Sequence, residues 1–359
     1  MSLIIELLTQ IKADESTGDS QAFYSGMVPN YRFNVTMAVI FGLLLLFQFV
    51  VGLYTRQYWF FAAFTCACIL EMLGYIGRAL SHKDLTVEDY FLLQFICLTI
   101  APVFTMGGIY YQLAKLIEIY GHKFALLPTP MMYSYIFIVC DIVSLVIQAI
   151  GGGAAGSAVT ENKSTATGTH IFVAGLAFQV ASMSVFLVLW FHLLYKIYIS
   201  TRKKHANVTK FSWSLLKIPQ CELDYQYRQS FSDLRLNPQR WTFHYFSLGL
   251  TASVIFVYIR CIYRVIELAE GWSGYLITHE WYFIILDALM MSLATLILSF
   301  FHPGFSFRGR YVKIPITKAG KEKEADCINS ASSSEDPLTE DSEGNNEQNQ
   351  QQQQQNLNA

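Results

Sequence analysis

Seven stretches of this chain, residues 34–54, 58–79, 91–112, 131–151, 171–194, 243–264 and 281–301, are almost continuously apolar and 21 to 24 residues long. About 20 such residues cross a hydrocarbon core of about 30 Å, because backbone groups in lipid must be paired within the segment and a helix pairs them all. The expected fold is therefore an all-α integral membrane protein, a seven-transmembrane helix bundle filling residues 34–301. Composition agrees, with 53% hydrophobic and only 14% charged residues, against about 25% charged in soluble domains. A net charge of −2 argues against a nucleic-acid partner, since phosphate-binding surfaces are strongly basic.

An odd number of spans puts the termini on opposite sides, and positive residues collect on the cytoplasmic side. With the C-terminus inside, 18 of the 25 Lys and Arg residues fall on cytoplasmic segments and five on outer ones. The expectation is N-terminus outside, C-terminus cytoplasmic. Residues 1–33 form an extracellular segment without the features of a cleavable signal, so the first span starts insertion itself. Among the sequons, Asn162 lies in an outer loop and is a glycosylation candidate, whereas Asn34 sits at the membrane edge and Asn207 is cytosolic. Five cysteines lie within spans, Cys221 and Cys327 face the cytosol, and no structural disulfide is expected.

The cytoplasmic loop 195–242 carries nine basic residues. They read either as topology-setting charge or, around Phe211–Lys217, as a surface for anionic lipid. Residues 302–359 form a cytoplasmic tail. From about Lys318 it is polar and then glutamine-rich, the composition of a disordered segment with phosphorylation sites and trafficking or regulatory partners.

Charges inside spans are expensive and call for a reason. The second span carries Glu71 and Arg78, the fourth Asp141, Ser144 and Gln148, the sixth Arg260, Arg264 and, just beyond its end, Glu267, and the seventh Asp287. A rise of about 1.5 Å per residue places Glu71, Asp141, Asp287 and Arg260 at about 6 to 15 Å from the outer ends, in one layer. Two readings stand: a polar pathway for a cationic or zwitterionic head group, with Glu71, Asp141 and Asp287 the acids expected to carry it because each is expensive if idle, or buried interhelical pairs such as Arg260 with Asp287 and Glu71 with Arg78. Pro102, Gly107 and Gly108 in the third span, and Gly151, Gly152 and Gly153 at the end of the fourth, are candidates for hinges or for close helix packing.

Several stretches carry a resemblance: MVPNYRFN (27–34), GYIGR (74–78), CLTIAPVFTMGGIYYQLAKLIEIYGH (97–122), FIVCDIVSLVIQAIGGG (137–153), RCIYRVIELAEGWSGYLITHEWYFIILDALMM (260–291) and FHPGF (301–305). Together they resemble the fungal lipid-translocating exporter family, most closely its branch for sphingoid long-chain bases. The resemblance implies a seven-helix plasma-membrane protein that moves bases such as dihydrosphingosine and phytosphingosine from the cytoplasmic to the outer leaflet, supporting lipid asymmetry and resistance to toxic amphiphiles. It carries over Glu71, Arg78, Asp141, Gln148, Arg260, Arg264, Glu267, Glu280 and Asp287 as motif positions without separate roles. Glu267, Glu270 and Glu280 leave the sixth-to-seventh connection free of Lys and Arg, which suits release of a cation. The resemblance also implies ATP-dependent transport, yet the chain has no G-x-x-x-x-G-K-[ST] run, so an intrinsic ATPase, a cofactor and an enzymatic activity are not expected.

Three other classes fit parts of the pattern. A seven-helix receptor or lipid sensor shares the topology but lacks outer-loop cysteines. A zinc hydrolase could use His192, His244 and His302, although no carboxylate at their level completes a site, so no metal is expected. A regulator acting indirectly on lipid flux has no distinguishing sequence feature.

Overall fold

The computed structural model describes residues 28–83, 87–160, 164–208, 210, 212, 218–237, 240–271 and 274–307. Seven helices long and apolar enough to cross a membrane run through it, and the described residues contain no strand. They are α1 (Tyr31–Thr55), α2 (Tyr58–Ser81), α3 (Glu88–Tyr120), α4 (Pro130–Thr160), α5 (Ala166–His205), α6 (Phe246–Ala269) and α7, which joins Glu280–Phe283, a π-helical turn Ile284–Leu289 and Met290–Phe300. This is a multi-pass membrane protein.

Each helix packs on the next, and α7 returns to α1, closing a ring in which α3 and α6 also touch. Polarity is inverted relative to a soluble bundle. Leu43, Leu46, Val188 and Leu296 point outward, while Gln48, Glu71, Asp141 and Asp287 are buried. Lipid solvates the former, and only partners inside the bundle can satisfy the latter. Gln48 Nε2, for instance, donates to Ser299 Oγ at 2.8 Å and ties α1 to α7.

Local sequence sets the ends. Asn30 caps α1, its side chain accepting from Phe33 N at 3.3 Å, which satisfies one of the orphan donors of a first turn. Asn34 is fully buried and donates to the Asn30 carbonyl at 2.8 Å, so this sequon asparagine is enclosed. Asn162 lies outside the described residues.

Several helices outrun their apolar windows. α3 continues to Tyr120, α5 to His205 through a π-helical turn (Tyr195–Ser200), and α4 to Thr160. Gly151, Gly152 and Gly153 therefore lie inside α4 rather than at its end. Gly151 serves close approach to α5: a Cβ there would sit 2.3 Å from Phe172 N, and a Cβ at Gly168 2.3 Å from Ala155 N. Gly108 likewise faces Phe64 across α2 at 2.7 Å, whereas Gly107 and Gly153 meet nothing within 4 Å. Gly151→Leu is expected to force α4 off α5 and lower the melting temperature of the purified protein by several degrees, an overpacking cost of about 1–3 kcal/mol; unchanged melting contradicts this packing.

Part of the basic charge in the α5–α6 connection is buried and paired. Residues 218–237 fold back on the ends of α3 and α5. Arg235, 1% exposed, donates to Asp224 Oδ1 at 2.7 Å, to the Ile119 carbonyl at 2.7 Å and to the Arg228 carbonyl at 2.6 Å. Arg228 pairs with Glu118. These arginines cap the last turn of α3, whose terminal carbonyls have no intrahelical donors, so they are structural charge rather than solvated surface. Arg235→Met should cost about 1–3 kcal/mol by stranding these acceptors, seen as faster protease cleavage within 206–240; wild-type cleavage rates contradict it. The stretch 211–217, apart from Ser212, lies outside the described residues, as does the tail.

Candidate functional site

Proline organises the centre of the bundle. Pro102 has no N–H, so the carbonyl four residues earlier, Leu98 O, loses its intrahelical donor. Arg260 Nη2 of α6 donates to that carbonyl, and Arg260 Nε donates to Asp287 Oδ1 at 2.8 Å. Asp287 sits in the π-helical turn of α7, a widened turn that re-aims a side chain. Its Oδ2 makes an ion-pair contact with Arg264 Nε. Arg264 Nη1 also donates to Glu267 Oε2 at 2.9 Å, and Tyr263 donates to Glu267 Oε1 at 2.8 Å. Pro102 is thus a donor-free step in a continuous helix whose released carbonyl anchors an arginine.

A second pair joins this network through an aromatic ring. Arg78 Nη2 lies 3.5 Å from Glu280 Oε1, which also accepts from Asn30 N at 2.9 Å. The Arg78 guanidinium is 3.9 Å from the Phe283 ring centroid and that of Arg264 5.3 Å from it. Arg78 pairs with Glu280, not with Glu71. Glu267 and Glu280 are both held by arginines, so the acid-rich lane expected between α6 and α7 reduces to Glu270, which is exposed and accepts from Leu276 N at 3.2 Å.

Glu71, Asp141 and Gln148 each keep a buried oxygen without a hydrogen-bond partner. Glu71 is 1% exposed, and neither carboxylate oxygen has a hydrogen-bond partner. One turn away, the buried Tyr75 hydroxyl is also unpartnered. Arg260, Asp287 and Arg264 are electrostatic neighbours of Glu71 without contacting it. Asp141 accepts from the Tyr110 hydroxyl at 3.0 Å through Oδ2, leaving Oδ1 unmatched. Gln148 Nε2 donates to Ser144 Oγ at 2.6 Å and Gln179 Oε1 at 3.1 Å, leaving Oε1 unmatched.

A cleft of about 710 Å³ opens between α3 and α4, with Phe95, Thr99, Gln148 and Phe172 among its lining residues. A narrow void of about 10 Å³ behind it shares Phe95, Thr99 and Phe172 and reaches Gln179, Arg260 and Arg264. The Phe95 and Phe172 rings, 5.0 Å apart, therefore stand between the lipid-facing cleft and the charge network.

The family model described as "RTA1 like protein" matches residues 64–310. The chain belongs to the RTA1-like family. It is 63% identical over 303 residues to the sphingoid long-chain base transporter RSB1 of Saccharomyces cerevisiae, covering 84% of this chain and 79% of that one. It is 29% identical over 230 residues to protein RTM1 of the same organism, covering 64% and 63% of the two chains. Protein RTA1, also from Saccharomyces cerevisiae, is 26% identical over 234 residues, 65% of this chain and 62% of that one. No solved structure matches.

This RTA1-like bundle holds site features that sequence reading passed over. Tyr110 and Tyr263 are unremarkable in a chain with 21 tyrosines, and only the fold brings their hydroxyls onto Asp141 and Glu267. The zinc arrangement does not assemble: among the described residues no three His, Cys, Asp or Glu side chains gather as a metal site. His302 instead accepts from Gly304 N at 3.0 Å, and His244 Nδ1 lies 2.9 Å from the Arg240 carbonyl.

Proposed function

We propose that this protein moves sphingoid long-chain bases from the cytoplasmic to the extracytoplasmic leaflet of the plasma membrane, contributing to lipid asymmetry and to resistance against toxic lipids. The 63% identity to a sphingoid long-chain base transporter supports the substrate class. The bias of 18 basic residues to five supports the N-out, C-in orientation, which leaves Asn162 available for glycosylation and the tail for trafficking partners.

The observation that carries the reading is the state of Glu71. Arg78 is matched to Glu280, and Arg260 and Arg264 to Asp287 and Glu267, so Glu71 is a buried carboxylate with no contacting cation. A sphingoid base brings an ammonium and hydroxyl donors on an alkyl chain. Its head can donate to Glu71, Asp141 Oδ1 and Gln148 Oε1, acceptors that no protein donor fills, while the chain stays in an apolar surround. Desolvating an ammonium is costly unless such acceptors replace water. Asp287, Arg260, Arg264, Glu267, Arg78 and Glu280 hold the helices that present them.

Cells expressing the chain, loaded with labelled dihydrosphingosine, should release it to external albumin faster than cells lacking the chain. Equal release in both contradicts the reading.

A further inference from the structure

The glycines of α4 do two different jobs. Gly151 brings α4 onto α5, but Gly152, Gly153 and Gly156 line the cleft, facing Phe91, Phe95 and Ile96 of α3. A Cβ on Gly153 or Gly156 would meet nothing within 4 Å, so the absence of side chains there is what keeps the cleft open. Its volume of about 710 Å³ lies within the roughly 300–1,000 Å³ of small-molecule sites. From Gln148 to Gly156 it runs about 12 Å along the helix, close to half of a hydrocarbon core of about 30 Å.

The second observation lies at the deep end. Gln148, which lines the cleft, is 1% exposed and its Oε1 has no donor. Neighbours fix the amide orientation. Ser144 Oγ gives its proton to the Gly175 carbonyl at 2.9 Å, so it can only accept from Gln148, and Gln148 Nε2 must be the donor. The remaining oxygen is an acceptor in a largely apolar site, where an unmatched polar atom is costly.

We infer that the α3–α4 cleft is a binding site for one single-chain amphiphile. Its alkyl chain lies over the glycines of α4, and an N–H or O–H of its head donates to Gln148 Oε1. The head is then deep and the chain end lies near Phe91 and Gly156, the posture of a lipid drawn in from the leaflet at the opposite end of the bundle. The choice of a sphingoid base as occupant rests on the transport reading above. The donor-rich head suits an acceptor with no other partner, and a single chain suits the half-bilayer length.

The test is photolabelling of the purified full-length protein in nanodiscs with a sphingoid base that carries a diazirine at its chain terminus. Label is expected in α3 around residues 91–96 and in α4 around 152–156, displaced by unlabelled base. Gly153→Leu should cut the yield at least about tenfold, as a few methylenes do when they intrude on an apolar site, with unchanged melting. Gln148→Leu should weaken labelling by this probe more than by a matching alkane probe without amine or hydroxyls. Label outside the cleft, or full labelling of a folded Gly153→Leu variant, overturns the proposal; if that variant does not fold, the position of label on the wild type decides. Labelling is independent of flux. Cleft label without vesicle translocation keeps this site and sinks the transport reading, whereas translocation with label elsewhere does the reverse.

Discussion

Replacing Asp287 with Asn is expected to unfold the bundle or leave it barely stable. Asp287 is fully buried and receives Arg260 and Arg264 on its two oxygens. Removing its charge strands two desolvated guanidinium groups, and breaking a buried pair from one side costs about 3–5 kcal/mol, much of the roughly 5–15 kcal/mol that holds a typical domain folded. The variant should elute as aggregate on gel filtration in detergent, or melt far below the wild type. Replacing both sides behaves differently, because an apolar pair of similar volume needs no compensation. Arg260→Met combined with Asp287→Leu, with Arg264 still held by Glu267, should recover a large part of the loss. An Asp287→Asn protein that melts like the wild type contradicts the structural assignment of this network.

Glu71→Gln is expected to do the opposite, leaving the fold intact and removing transport. No donor contacts either oxygen of Glu71, so the neutral isostere breaks no pair in the folded protein. Melting should be unchanged or higher. A hydrogen bond to a charged group is worth about 1.5–3 kcal/mol, so losing it to the ammonium of a passing base slows translocation by roughly ten- to a hundredfold. Glu71→Asp, which keeps the charge on a shorter arm, should retain part of the rate. A folded Glu71→Gln protein that carries sphingoid bases at the wild-type rate removes Glu71 from the pathway.

These variants separate two roles that one polar layer held together in the sequence. The seven spans were legible because lipid requires unbroken apolar runs. Arg260 with Asp287 was legible because both charges fall at similar depth on helices that run in opposite directions. The partner of Arg78 was not, since Glu280 meets it across the bundle rather than along α2. Lys115 and Glu118 fall inside α3 but beyond its apolar window, because charges that will be paired with Gln57 and Arg228 lower hydropathy just as solvated ones do. Nor does a proline announce which neighbour will take its freed carbonyl: Leu98 is identifiable by counting back four residues from Pro102, but its pairing with Arg260 requires the fold. The π-helical turn at Ile284–Leu289 leaves no mark in composition, and which α4 glycines face α5 and which face the cleft depends on the rotation of that helix.

The most direct test of the central claim is translocation by the pure protein. The full-length chain, reconstituted in unilamellar vesicles of neutral phospholipid, is supplied with labelled dihydrosphingosine, and its appearance on the opposite leaflet is followed with and without ATP or a proton gradient. Translocation is expected to be faster than in protein-free vesicles and strongly reduced by Glu71→Gln. Wild-type vesicles no faster than protein-free ones under every condition would contradict it and leave the protein a regulator of lipid flux rather than its route.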